Sequence, residues 1–279
     1  MTSQPASDLR ADTLRYLEQQ KRRGVRYVRL APGQLEELET FSAPARAETP
    51  STPAPLRIST KEMSPEKKAA FEALRTRVLA CTKCEHLVRF RHNVVFGVGN
   101  VNSEIMFVGE APGADEDEQG EPFVGKAGQL LTKMIQAMGF QRSDVYIANV
   151  LKCRPNVETA YGNRKPTPEE MATCLPYLRE QIQLIQPRVI VAVGDTAVKG
   201  LLPDLKEGIT RLRGKWLEYD NIPLMPTFHP SYLLRNASIA TKRLCWEDLL
   251  AAMEKLGMPV SDKQRNYFLS ALPNQGDRS

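Results

Sequence analysis

Four short apolar runs, at residues 105–108, 145–151, 189–193 and 222–228, alternate along the chain with segments whose apolar residues recur at helical spacing. A strand that is apolar on both sides must be buried on both faces. Successive buried strands joined by helices go into a mostly parallel sheet with helices above and below. The helices are marked by their ends. Lys126–Met138 carries Leu130, Leu131, Met134, Ile135 and Met138 at core spacing and is stopped by Gly139. Pro168–Ile185 reads as a longer helix, 196–202 as a short one and 240–256 as the last. Upstream, Ser64-Pro65-Glu66 supplies a cap, a first-turn proline and an acid, and Ala70, Phe71, Leu74 and Val78 keep helical spacing towards Cys81. The expected fold is α/β, a three-layer αβα arrangement around a central four-stranded parallel sheet.

Residues 41–56 break this pattern with Pro44, Pro50, Pro53 and Pro55 spaced by small polar residues, which is linker composition. Ahead of them, 7–23 has helical spacing with a thin apolar stripe and a basic end, Lys21-Arg22-Arg23. Three parts are therefore expected: a flexible, largely disordered extension over 1–56, a folded domain over 57–260, and a C-terminal tail over 261–279 that frays. The N-terminus lacks the apolar core of a secretory signal, and the longest apolar run is too short for a bilayer, so a cytoplasmic protein with no membrane partner is expected. Thirty-eight Lys and Arg against 33 Asp and Glu give a net charge of +5, which permits a polyanionic partner without requiring one.

The segments just past the strand ends, where such sheets bind ligands, hold most of the unusual chemistry. Cys81-Thr82-Lys83-Cys84 is a CxxC, with Cys153 just past a strand and Cys174 within a helix. An odd count of five cysteines in a reducing compartment argues for metal or redox chemistry over a disulfide framework. Four thiolates suit zinc or an iron-sulfur cluster, although the wide second spacing is unlike two tight zinc knuckles. The plain alternative is reduced structural cysteines, which is the reading for Cys245 beside Trp246. Residues 109–117, GEAPGADED, form a tight turn crowded with carboxylates. Residues 120–126 match the first seven positions of a phosphate-binding loop, but Ala127 stands where the magnesium-binding hydroxyl belongs and no strand leads into Gly120.

His229 opens HPSYLLRN, in which Ser231 can cap a helix, Leu233 and Leu234 can wedge between bases and Arg235 can meet a phosphate. A strand-end histidine and a capping serine are also ordinary structural groups. Arg154, Arg164 and Lys165, and separately Lys206, Arg211, Arg213 and Lys215, make two basic groupings suited to a phosphate rim or merely to a solvated surface.

GEAPGADED at 109–117, EPFVGKAGQLL at 121–131, ANVLKCRP at 148–155 and HPSYLLRN at 229–236, with the four cysteines so placed, resemble family 4 uracil-DNA glycosylases over roughly residues 67–256. The resemblance implies a four-stranded parallel sheet, an integrated [4Fe-4S] cluster on Cys81, Cys84, Cys153 and Cys174, and excision of uracil from DNA. It implies further that Phe123 stacks on the flipped uracil, Asn149 reads its edge, the Ala111 backbone and Glu116 line the pocket, and His229 faces the carbonyl beside the scissile bond. Ser231, Leu233, Leu234 and Arg235 would contact DNA. Family 1 enzymes have an aspartate where Ala111 stands here, so Glu110, Glu116 and Asp117 all remain candidates to position the water, with Glu110 placed first. A related branch attaches covalently to uracil-DNA through a histidine in an enlarged loop. No histidine lies between Cys153 and Cys174, which excludes that branch.

Breaking the deoxyuridine glycosidic bond puts negative charge on uracil, which calls for a donor at O2, a polar reader at N3 and O4, and an oriented water. A neutral His229 and Asn149 suit the first two tasks. The expected partner is uracil-containing DNA, bound by a monomer, with a protein partner as a candidate role for residues 1–56. Two rival classes are a non-catalytic iron-sulfur DNA-binding or redox-sensing protein, which needs neither Asn149 nor His229, and a nucleotide-binding enzyme, which needs the hydroxyl absent at Ala127.

Overall fold

The computed structural model describes residues 63–155 and 164–269. The helix expected at 7–23, the proline-rich stretch and the 56/57 boundary lie outside the described residues. Among the described residues six strands form one sheet: β1 (Val98–Gly99), β2 (Ile105–Gly109), β3 (Tyr146–Asn149), β4 (Val189–Val193), β5 (Leu217–Tyr219) and β6 (Ile222–Thr227), in the order β1-β3-β2-β4-β6-β5. The four strands expected from the apolar runs are the parallel centre, with β2 paired to β3 and β4, and β4 to β6. Beyond the expected four, β1 and β5 add short antiparallel edges, so the sheet is mixed.

The expected helices form with nearly the expected limits. In α1 (Pro65–Leu79) the Ser64 hydroxyl accepts the Lys67 N–H at 3.2 Å. Short helices α2 (Glu85–Val88) and α3 (Ala114–Gln119) follow, then α4 (Lys126–Met138), which ends at Gly139 in the left-handed region. In α5 (Pro168–Ile185) Thr167 and Glu170 make a reciprocal capping box. The remaining helices are α6 (Asp195–Leu201), α7 (Ile209–Leu212), α8 (Pro230–Arg235), α9 (Ile239–Lys255) and α10 (Asp262–Arg265).

Side chains alternate across the sheet, so each central strand feeds two cores. Ile105, Phe107, Ile147, Val189, Val191 and Val193 face α4 and α9. Met106, Val108, Ala148, Ile190, Ala192 and Leu224 face α1, α5 and α6. The first part of the tail does not fray as expected. The Trp246 indole donates to the Gln264 carbonyl at 2.6 Å, and the Gln264 amide donates to the Ala137 carbonyl at 2.9 Å, which ties α10 to α9 and α4. Among the described residues no helix is long and apolar enough to cross a membrane.

Candidate active site

Strands β2 and β3 end side by side, with Gly109 and Asn149 as register partners. Asn149 is 2% exposed, and its Oδ1 is buried with no hydrogen-bond partner. A buried acceptor left open costs free energy unless something else completes it, and that makes this carbonyl an obvious ligand contact. Phe123 lies over the same strand ends. A Cβ on Gly109 would stand 2.4 Å from both Asn149 Oδ1 and Phe123 Cζ, so only glycine lets the two approach across β2. Helix α4 closes on the other side of Phe123 through Gly128, where a Cβ would come within 1.9 Å of the Phe123 carbonyl. Phe123 itself sits at φ +54°, a conformation that a bulky residue holds only when its surroundings impose it.

His229 follows β6 and faces Phe123, with ring centroids 5.7 Å apart and planes tilted by 33°. Its Nδ1 accepts the Ser231 N–H at 3.1 Å and lies 2.8 Å from the Ser231 hydroxyl. Burial, reinforced by Arg235, holds its pKa down at about 4. Phe123 thus lies beside both Asn149 and His229, and Ser231 holds the histidine ring.

The three candidate carboxylates separate. Glu116 accepts the N–H groups of Gly113, Val124 and Gly125 at 2.9–3.0 Å, so it fastens the turn after β2 to the turn carrying Phe123. The Arg142 guanidinium braces that second turn through the Pro122 carbonyl. Asp117 is fully buried and accepts from the backbone of His92 and Asn93 and from the His92 ring. Glu110 is half-buried, and its carboxylate has no hydrogen bond or ion pair among the described residues. Ala111 packs against the cluster of Leu87, Leu151, Cys153 and Cys174.

On α8 the two leucines differ. Leu233 is 5% exposed within the core, whereas Leu234 is 49% exposed and Arg235 is exposed beside it. The basic groupings also thin out. Arg164 is bidentate on Glu170, at 2.8 and 2.5 Å, and Arg213 on Asp248, at 3.0 and 2.5 Å, while Arg154 is buried. Lys165, Lys206, Arg211 and Lys215 stay exposed.

Cys81, Cys84, Cys153 and Cys174 line one pocket with Leu87, Leu151, Arg91 and Tyr177. The Lys152 N–H donates to Cys174 Sγ at 3.2 Å and the Arg91 guanidinium to Cys153 Sγ at 3.0 Å, contacts that favour charged sulfur. Burial pushes the Cys174 thiol up to about 12 and raises Cys153 and Cys84 as well. Among the described residues no three His, Cys, Asp or Glu side chains close on a single metal ion. Four sulfurs around one pocket, two of them receiving N–H donors, are a donor set of the kind that iron-sulfur clusters use. Cys245 lies apart in the core against Thr227, as expected. Behind the cysteines, burial would raise the Glu170 carboxyl, but Arg164, the Thr167 N–H and His86 outweigh it and bring it to about 2.

One residue near the site was missed. Lys152 is 1% exposed, and its ammonium donates to the Asn149 carbonyl at 2.9 Å and to Gln181 Oε1 at 2.6 Å. Burial draws its pKa down to about 8. A lysine beside a cysteine reads as surface, and no local pattern signals a partner 29 residues away.

A family model described as the uracil DNA glycosylase superfamily matches residues 96–250. A type-4 uracil-DNA glycosylase of Thermotoga maritima is 47% identical over 185 residues, 66% of this chain and 93% of that protein. Type-4 uracil-DNA glycosylases of Archaeoglobus fulgidus and Sulfurisphaera tokodaii are 41% and 38% identical, over 68% and 75% of this chain and 94% of each relative.

Proposed function

The chain belongs to the uracil DNA glycosylase superfamily and removes uracil from DNA by hydrolysing the N-glycosidic bond, and we propose that the pocket between Asn149, Phe123 and His229 is where it does so. The observation that carries this reading is the open Asn149 Oδ1. Uracil N3–H is a donor and O4 an acceptor, so an amide that presents Oδ1 to N3 and Nδ2 to O4 fits uracil, whereas cytosine reverses both directions.

The base leaves the stack and enters against the Phe123 ring, with Leu234 filling the gap in the duplex and Arg235 on a phosphate. His229 donates from Nε2 to O2, where negative charge collects as the bond breaks. Glu110 is the carboxylate free to orient the attacking water and face the cationic sugar, while Glu116 and Asp117 hold the turns in place. Cys81, Cys84, Cys153 and Cys174 would hold a [4Fe-4S] cluster, which supplies a cross-link among three segments and no chemistry to a hydrolysis that transfers no electrons. DNA without membrane is the partner on this reading.

Incubating the protein with a uracil-containing oligonucleotide, then treating with alkali to cut abasic sites, tests it. Strand breaks at uracil are expected, and Asn149→Asp, which turns an acceptor towards O4, should suppress them. Equal cutting by Asn149→Asp and the unaltered chain would remove Asn149 from recognition.

A further inference from the structure

We infer that Lys152 is a positioning residue for uracil recognition, fixing the peptide of Asn149 from one side while its own peptide is fixed by Cys174. The inference rests on the reading that Asn149 recognises the base.

No protein group among the described residues bonds the Asn149 amide. Its aim is therefore set by packing at Gly109 and Phe123 and by the main chain at 149, and the carbonyl of that residue is where the Lys152 ammonium donates, at 2.9 Å. The ammonium cannot drift. Its other partner, Gln181 Oε1 at 2.6 Å, belongs to an amide whose Nε2 donates to both the Phe96 carbonyl and the Tyr146 hydroxyl at 3.0 Å. From the other direction the Lys152 N–H is held by Cys174 Sγ at 3.2 Å, its carbonyl accepts the Val95 N–H at 2.8 Å, and Cys153 is the next residue. The lysine thus bonds both the base-reading residue and a cysteine of the pocket.

The chemistry of the group supports a role beyond packing. Both oxygens facing the buried ammonium are neutral, and among the described residues no carboxylate pairs with it. A buried cation without a carboxylate is costly, and an apolar side chain of similar volume would fold more easily in its place. Besides its attraction to a Cys174 thiolate, what the ammonium supplies and methionine does not is a grip on the Asn149 carbonyl. A displacement of the reader of well under 1 Å matters at such a site, because both hydrogen bonds to the base edge depend on its direction.

Lys152→Met and Lys152→Gln in the full, iron-loaded chain test this, with the unaltered chain alongside. Iron per chain, affinity for abasic-site duplex, affinity for free uracil and the single-turnover excision rate are measured on each. Iron content and abasic-site affinity are expected to stay at the unaltered level, while uracil affinity falls and excision slows by about tenfold, as when one hydrogen bond's worth of alignment is lost. The methionine variant is stripped of the donor, and the shorter glutamine keeps the site polar without reaching Asn149, so both should show the same split. Normal excision in both variants, or equal losses of uracil and abasic-site affinity, would overturn the inference. Loss of iron together with activity in both would assign the lysine to the cysteine pocket instead. An unaltered chain that excises no uracil would strike the functional reading itself.

Discussion

The backbone N–H of Ser231 donates to Nδ1 of His229 at 3.1 Å, with the Ser231 hydroxyl 2.8 Å from the same nitrogen. A nitrogen that accepts carries no proton, so the neutral ring keeps its hydrogen on Nε2, the edge free to face a substrate carbonyl.

A pH profile checks this. Burial, then Arg235, lowers the pKa from 6.5 to about 4, so single-turnover excision should stay level from pH 8 to 6 and lose rate only as the pH approaches about 4. The unfolded chain takes up this proton near 6.5 and the fold only near 4, so the stabilising contribution is full above 6.5 and is lost as pH falls through that window. An acid limb centred on 6.5 would show that the ring is not shielded. His229→Ala should slow excision by about 2–4 kcal/mol of transition-state stabilisation without unfolding the chain.

Glu110→Gln and Glu116→Gln should fail in opposite ways. The Glu110 carboxylate has no hydrogen bond or ion pair among the described residues, so its variant should keep the melting temperature and lose rate. The Glu116 carboxylate serves three backbone donors, and weakening them should cost about 1–3 kcal/mol in denaturant unfolding. A Glu110→Gln enzyme with full activity would return the water to another group.

Iron and sulfide analysis of anaerobically prepared protein should find both, with Cys174→Ser reducing them and Cys245→Ser leaving them unchanged. Stoichiometric zinc without sulfide would replace the cluster with a single-ion site.

Leu233→Ala should destabilise the fold by about 2–5 kcal/mol, the cost of a core cavity. Leu234→Ala should leave stability unchanged and slow excision from duplex more than from single strands, where no stack has to be filled. Equal rates on both substrates for Leu234→Ala would take the leucine out of base extrusion.

The central strands were legible because each is an apolar run buried on two faces. Strands β1 and β5, two and three residues long, carry too few side chains to show a period, although Asp220-Asn221 at positive φ is a hairpin signal that the sequence displays. In the pocket, residue types at strand ends and a family resemblance pointed to Asn149, Phe123 and His229. Which carboxylate is free was not legible, since Glu116 and Asp117 look like Glu110 until the distant donors that occupy them fold into place. Lys152 was hidden for the same reason.

Gly109 has a consequence for how the protein tolerates mutation. The atoms nearest a new Cβ there are the tips of Asn149 and Phe123, not backbone. The least costly accommodation is for those two side chains to swing aside, which spares the fold and spoils the pocket. A mutational screen that counts soluble protein would then score this position as permissive, while one that counts repaired genomes would score it as among the least forgiving in the chain.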